Sequence, residues 1–464
     1  MVNYQWVAVS PLKCKICKKG DLLIKQTFDM FALDVHSRGK SFTGRIISSK
    51  EDDGGFRQSE KYNMEKIGLL KNSIQEYAWG SPRSIADLLR QRNPENKPQA
   101  ELWMGAHPKA PSLVQYNGQW VSLLDLIYKS PQKILGKETA KNFDNKLPYL
   151  FKVLAAAKPL SIQAHPNLHQ ARIGFQREND QKIPLDASHR NYRDDNHKPE
   201  CLCALTQFWA LSRFRPISVL LSYLEKVCAH GLNAEIKDLK RQPTSDGLKR
   251  FYTALMSMGA DRQSQVVAEA LKQAQRFASD DPVFQWMLKL ADDYPNDMGV
   301  FSPILLNLIC LEPGQAIFLN AGELHAYLKG LGIELMANSD NVLRGGLTPK
   351  HVDVPELLRV LKFEGQNVTL LKPQASIAEE RVYASPAKEF ELSVVTLNKG
   401  TQYRSPLDRS VEILICTRGK ATLTEYRSQT ETQLQQGASA LIPAAVESYT
   451  IRGEGVCYKA AVPT

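Results

Sequence analysis

Nowhere in the 464 residues is there a run of about 18 uninterrupted apolar residues. The opening stretch also lacks an apolar core of about 7 to 15 residues followed by small ones. Neither a membrane span nor a secretory leader is expected, and the reading is a cytoplasmic chain without membrane partners. Cysteine is sparse: of the eight, Cys228, Cys310, Cys416 and Cys457 stand alone, so reduced thiols are expected and a disulfide scaffold is excluded. Cys14-x-x-Cys17 has no second pair, which argues against a zinc ribbon and for a chance spacing. The net charge of +10 contains no run of Lys/Arg interleaved with aromatics, and residues 1–63 alone carry eleven Lys/Arg against seven Asp/Glu. Nucleic acid is therefore not expected as a partner, whereas a mild attraction for small anions such as phosphorylated metabolites is.

What is present is ordinary globular composition, 43% hydrophobic and 23% charged, in a chain longer than one core usually organises. Two or three subdomains follow. Residues 1–63 read as an appended extension, disordered or the result of a misassigned start, because a coherent pattern opens only at Met64 with Lys66-Ile-Gly-Leu-Leu-Lys-Asn-Ser-Ile-Gln. From about 101 to 212, short apolar runs such as Leu147-Pro-Tyr-Leu-Phe-Lys-Val-Leu and Cys201-Leu-Cys-Ala-Leu, broken by Pro, Gly and Asn, predict mainly strands of a β-sandwich. Between 216 and 295, apolar residues recur at spacings of three and four around Val219, Leu248 and Val266, which predicts a helical insert. Strands resume at Ile304–Leu311 and Ala316–Leu319, and residues 372–464 alternate short apolar runs with turn glycines, as a second small β-barrel would.

Three stretches carry chemistry. In Ser161-Ile-Gln163-Ala-His165-Pro166 a strand puts Gln163 and His165 on one face; Pro166 disfavours a helical pairing of His165 with His169. Asn196-His-Lys198-Pro-Glu200 brings a carboxylate to the start of an apolar strand, where an inward Glu needs a metal or a cation. Leu319-Asn-Ala-Gly-Glu-Leu-His325-Ala-Tyr327 places a second imidazole after a turn. Gln163, His165, Glu200 and His325 together form a donor set that suits zinc with room for water or substrate oxygens. The dense polar loop from Glu334 through Arg344 to Lys350 suits anionic intermediates or a phosphate.

These motifs resemble the type I phosphomannose isomerase family of the cupin superfamily. The likeness begins near Met64 and includes Tyr77-Ala-Trp-Gly-Ser, Glu101-Leu-Trp-Met-Gly-Ala-His-Pro and Pro159-Leu-Ser-Ile-Gln-Ala-His-Pro. Asn196-His-Lys-Pro-Glu, Met336-Ala-Asn-Ser-Asp-Asn-Val-Leu-Arg and Leu347-Thr-Pro-Lys follow in the family's order. The resemblance implies one zinc per chain on Gln163, His165, Glu200 and His325, with Arg344, Glu334 and Lys198 as catalytic candidates. Ser161, Lys152, Lys350 and Tyr327 are the substrate-binding candidates. It also implies a mainly β fold: a catalytic cupin domain at 64–212 and 301–371, a helical domain at 213–300 and a cupin-like β-barrel at 372–464. The expected activity is interconversion of mannose 6-phosphate and fructose 6-phosphate through an enediol, by a monomer serving mannose metabolism and GDP-mannose biosynthesis.

Two other uses of a cupin barrel are weighed. An iron oxygenase would use two histidines and one carboxylate, so Gln163 as a fourth donor argues against it. A sugar sensor without turnover would not need Arg344 and Lys350. The guanylyltransferase half that some relatives carry would need a Gly-rich phosphate loop, and the sequence has none.

Overall fold

The computed structural model describes residues 64–464, so the Cys14/Cys17 pair and the rest of the extension lie outside the described residues. The β-strands gather into two large antiparallel sheets, and a block of helices is inserted in the chain between two strands of one of them. This is the mainly β architecture with a helical insert that the sequence predicts.

Alternation in the strand Tyr149–Ala156 shows how the first sheet is sorted. Tyr149, Phe151, Val153 and Ala155 enter an apolar core with Leu102, Cys201, Cys203, Ile333 and Leu335. Leu150, Lys152 and Leu154 take the opposite face. Cross-strand register then sets Lys152 opposite both Trp103 and Glu334, and Glu200 opposite Met336. On the face of this strand opposite Tyr149 and Phe151, the Lys152 ammonium meets Glu334 between the apolar Leu150 and Leu154.

The strand His325–Ala337 is the spine of this sheet. Its first half pairs with Phe208–Phe214 and Gln163–Ala164; its second half pairs with Tyr149–Ala156 and Glu200–Ala204. The change of partners falls at Gly330, whose φ of +144° and close approach to Phe208 and the Gln207 carbonyl leave no space for a Cβ. The bend curls the sheet so that both halves contribute side chains to one interior.

Five helices from Ile217–Val227 to Pro282–Asp293 form the insert, burying Leu220, Leu248, Phe251, Val266, Phe284 and Met287 in a common core with Ile162, Leu343 and Leu347. The loops next to the chemistry thus rest on the helical block. The second sheet is built mainly from C-terminal strands, dominated by Glu412–Glu425 against Tyr449–Ala461. It also takes in Gly68–Lys71, which pairs with Ser439–Ile442 on one side and Leu113–Tyr116 on the other.

Some expectations need correction. Residues 101–212 contain the helices Leu123–Lys129, Pro131–Leu135, Lys137–Asn142 and Leu168–Asp180, the last with an Asn167/Gln170 capping box that pattern counting overlooked. Ile304 and Leu305 finish a short helix, Ser302–Leu305, before the strand Leu306–Leu311 begins. The short strands expected around Val411–Cys416 are one 14-residue strand that continues through a bulge at Cys416/Arg418.

Because every candidate site residue follows Met64, a chain begun there is expected to keep the full activity of the intact protein. The assay is a side-by-side turnover measurement; an insoluble or inactive product would mean that residues 1–63 contribute.

Candidate metal centre

His165, Glu200 and His325 come from three separate strands or strand ends and converge fully buried, with their donor atoms all within 4.8 Å of one another. His165 Nδ1 lies 2.7 Å from the Asn341 carbonyl and His325 Nδ1 lies 2.9 Å from the Glu323 carbonyl. A carbonyl can only accept, so each Nδ1 carries the hydrogen and each Nε2 is left with a lone pair. Those two Nε2 atoms are buried without a hydrogen-bond partner. They point at one carboxylate, His165 at Glu200 Oε1 (3.3 Å) and His325 at Oε2 (3.4 Å).

Lone pairs facing lone pairs in a desolvated interior are costly unless a cation lies among them. The protonation states agree. Burial, then the nearby Lys198, pushes the His165 imidazolium pKa down to about 4, so the ring is neutral at physiological pH. Burial alone would raise the Glu200 carboxyl, but Lys198 and His165 outweigh it and hold Glu200 well below the usual carboxylate range. A neutral imidazole at His165 and an ionised carboxylate at Glu200 are the forms in which these groups bind a metal. Gln163 is the Cα partner of His325 on one side and of Arg344 on the other, which puts its side chain on their face of the sheet.

A buried chain of polar groups runs inward from this centre. Tyr327 donates to Glu200 Oε2 at 3.1 Å, and Lys198 Nζ sits 2.8 Å from Oε1. Lys152 Nζ donates to Glu334 Oε2 at 2.8 Å, lies 3.5 Å from Glu101 Oε2, and is 5.6 Å above the Trp103 ring. Burial would discharge Lys152, yet Glu101 and Glu334 together keep it a cation; Glu334 is pushed up by its burial, partly offset by Lys152. The placement of Lys152 differs from that of a free phosphate contact, since its ammonium is committed to two carboxylates. Tyr327 likewise commits its hydroxyl hydrogen to the Glu200 carboxylate.

Toward the surface the charge changes sign. Arg344 is half-buried, Lys350 is exposed and Ser161 is half-buried beside the Gln163 strand. Among the described residues neither Arg344 nor Lys350 has a carboxylate partner. The pKa of each is lowered, first by burial and then by cationic neighbours: Arg193 for Arg344, Arg344 and Arg193 for Lys350. Three cations drawn together without an acid make an anion-attracting edge. Arg193 was not singled out in the sequence, although it lies five residues before Lys198 in the same polar stretch. Glu101 and Asn341 stood in quoted motifs without a role.

Comparison with known proteins gives a consistent result. The type I phosphomannose isomerase catalytic domain matches residues 67–217, that family's helical insertion domain residues 224–306 and its C-terminal domain residues 382–425. The mannose-6-phosphate isomerase of Escherichia coli is 43% identical over 388 residues, covering 83% of this chain and 97% of that protein. The human enzyme is 34% identical over 410 residues, covering 82% and 94%. A zinc-bound mannose 6-phosphate isomerase superposes with a TM-score of 0.80 at 40% identity, covering 86% of this chain and all of that one. A single-residue variant of the Salmonella typhimurium phosphomannose isomerase gives the same values.

Proposed function

Since the chain belongs to the type I phosphomannose isomerase family, we propose that it interconverts D-mannose 6-phosphate and D-fructose 6-phosphate with one zinc ion held by Gln163, His165, Glu200 and His325. The observation that carries this reading is the pair of orphaned imidazole nitrogens aimed at a single buried carboxylate, beside a cationic edge. Bound there, zinc would supply Lewis-acid polarisation of the sugar's carbonyl.

The reaction opens the sugar ring, removes the proton on C2 of the aldose and returns a proton to C1 through an enediol. Arg344, cationic at any working pH, stabilises the negative charge that develops on the enediolate. Lys350 at the exposed end of the cationic edge, with Arg193, receives the phosphate, and the half-buried Ser161 hydroxyl is a donor to the same ligand. Tyr327 and Lys198 keep Glu200 ionised and fixed. Glu334 and Lys198 are the groups assigned to proton exchange: burial raises the Glu334 carboxyl above its ordinary value, and Lys152 limits that rise. Lys152 and Glu101 therefore act on the reaction through Glu334.

A coupled assay with mannose 6-phosphate, run before and after exhaustive chelation, tests substrate and metal together. Isomerisation is expected in the untreated protein, to disappear on stripping with the fold retained, and to return with zinc at about one ion per chain. Restoration by iron alone, or undiminished activity in protein shown to be metal-free, would overturn the assignment.

A further inference from the structure

Asn341 is wholly buried, and its hydrogen bonds reach two other segments that each carry or lead to a functional side chain. Its backbone carbonyl accepts the Nδ1–H of His165 at 2.7 Å. Its side-chain Oδ1 accepts from the backbone N–H groups of Arg193 (2.7 Å) and Asp194 (3.2 Å). Its Nδ2 donates to the carbonyls of Asp194 (2.8 Å) and Asn196 (2.9 Å) and lies 3.2 Å from Asp194 Oδ1. The segment so held runs directly into Lys198 and Glu200, while the loop carrying Asn341 itself runs into Arg344. Asp194 closes the arrangement, taking the Ser339 hydroxyl and the Asp340 N–H on its carboxylate.

An amide carries its donor group and its acceptor oxygen on separate atoms, so it can hold N–H groups at one end and carbonyls at the other. Here one end holds N–H groups and the other holds carbonyls of the same loop, so the backbone of residues 193–196 cannot slide without breaking both. With the side chain so fixed, the Asn341 carbonyl has a set direction, and that direction fixes the ring plane of His165. We infer that Asn341 is a positioning residue for the metal centre, holding the His165 ring and the segment ahead of Glu200 in register. Its contact with the centre is the hydrogen bond to His165, and Asn341 is not itself among the proposed metal donors. The inference rests on the zinc reading given above.

The test is zinc affinity, measured by titrating zinc against a competing chromogenic chelator into chelator-stripped full-length protein. The variants are Asn341→Ala, Asn341→Asp and His325→Ala, with the melting temperature of each metal-free protein taken alongside. Both Asn341 variants are expected to bind zinc about 10- to 100-fold more weakly than the unaltered chain, as loss of outer partners of metal ligands commonly does. Asn341→Asp keeps the two accepted N–H bonds and nearly the same volume, so it gives the answer should Asn341→Ala fail to fold. A purely structural asparagine would lower the metal-free melting temperature and leave zinc affinity near that of the unaltered chain; that result would overturn the inference. If His325→Ala also bound zinc normally, the metal assignment itself would fall, a different and separately visible outcome.

Discussion

His325→Ala is expected to lose zinc and isomerisation together, with turnover falling about 10³-fold or more, because Lewis-acid catalysis supplies several kcal/mol and each 1.36 kcal/mol is a factor of ten. The side chain is fully buried and its Nδ1 is already committed to the Glu323 carbonyl, so only Nε2 faces the Glu200 carboxylate. Removing the ring leaves Glu200 and His165 with no second imidazole opposite. The fold should survive, since Ser212, Gln163 and the rest of the strand still pair through their backbones around position 325. Metal analysis with circular dichroism separates the possibilities: a folded variant that keeps one zinc per chain would remove His325 from the ligand set.

Arg344→Ala should behave differently, keeping its zinc and losing rate. Its guanidinium stands next to the Gln163 strand without a carboxylate partner, so its charge is free to respond to the substrate. If it acts where negative charge appears, its loss depresses kcat by about 10² to 10³, roughly 3 to 4 kcal/mol, with a smaller effect on KM. Steady-state kinetics at saturating zinc make the measurement. A variant with full kcat and only a raised KM would show that Arg344 holds the ground-state phosphate, and the enediolate role would pass to another group. The contrast with His325→Ala matters because both variants lose activity, and only the metal content tells them apart.

Much of this was legible in the sequence because the relevant signals are local. Gln163 and His165 are two apart on a strand, Pro166 disfavours a helix at that point, and the turn before His325 ends in a strand, so the donors could be picked from spacing and residue type. The helical insert was legible for the same reason, its apolar spacing being that of amphipathic helices. What was not legible depends on register between distant strands. That Lys152 meets Glu334 and Glu101 follows from pairings with residues some 180 positions later and 50 earlier. A lysine in an apolar strand gives no hint of which carboxylates it will meet. Arg193 escaped notice because its charge is only meaningful beside Arg344 and Lys350, and Asn341 because an asparagine in a polar loop reads as a turn former until its partners are known. Three of the four helices missed between 123 and 180 span only five to seven residues, and the longer Leu168–Asp180 buries just Ala171, Gly174 and Glu178, so none presents an apolar stripe that stands out among the surrounding strand-like runs.

The strand Gly68–Lys71 is held between Ser439–Ile442 and Leu113–Tyr116, and the Ile67 N–H reaches Glu425 Oε1 across 358 positions. On the ribosome that strand emerges early, and the partner it needs is made last. At synthesis rates of about 5 to 20 residues per second, the nascent chain spends roughly 20 to 70 s with the edge of Gly68–Lys71 opposite Leu113–Tyr116 unfilled. During that interval the catalytic half cannot close as it does in the finished molecule, and its open edge is where a chaperone would be of use. Synthesis of Ser439–Ile442, rather than emergence of the strands around His165, Glu200 and His325, then becomes the event that lets this sheet pair as it does in the folded molecule.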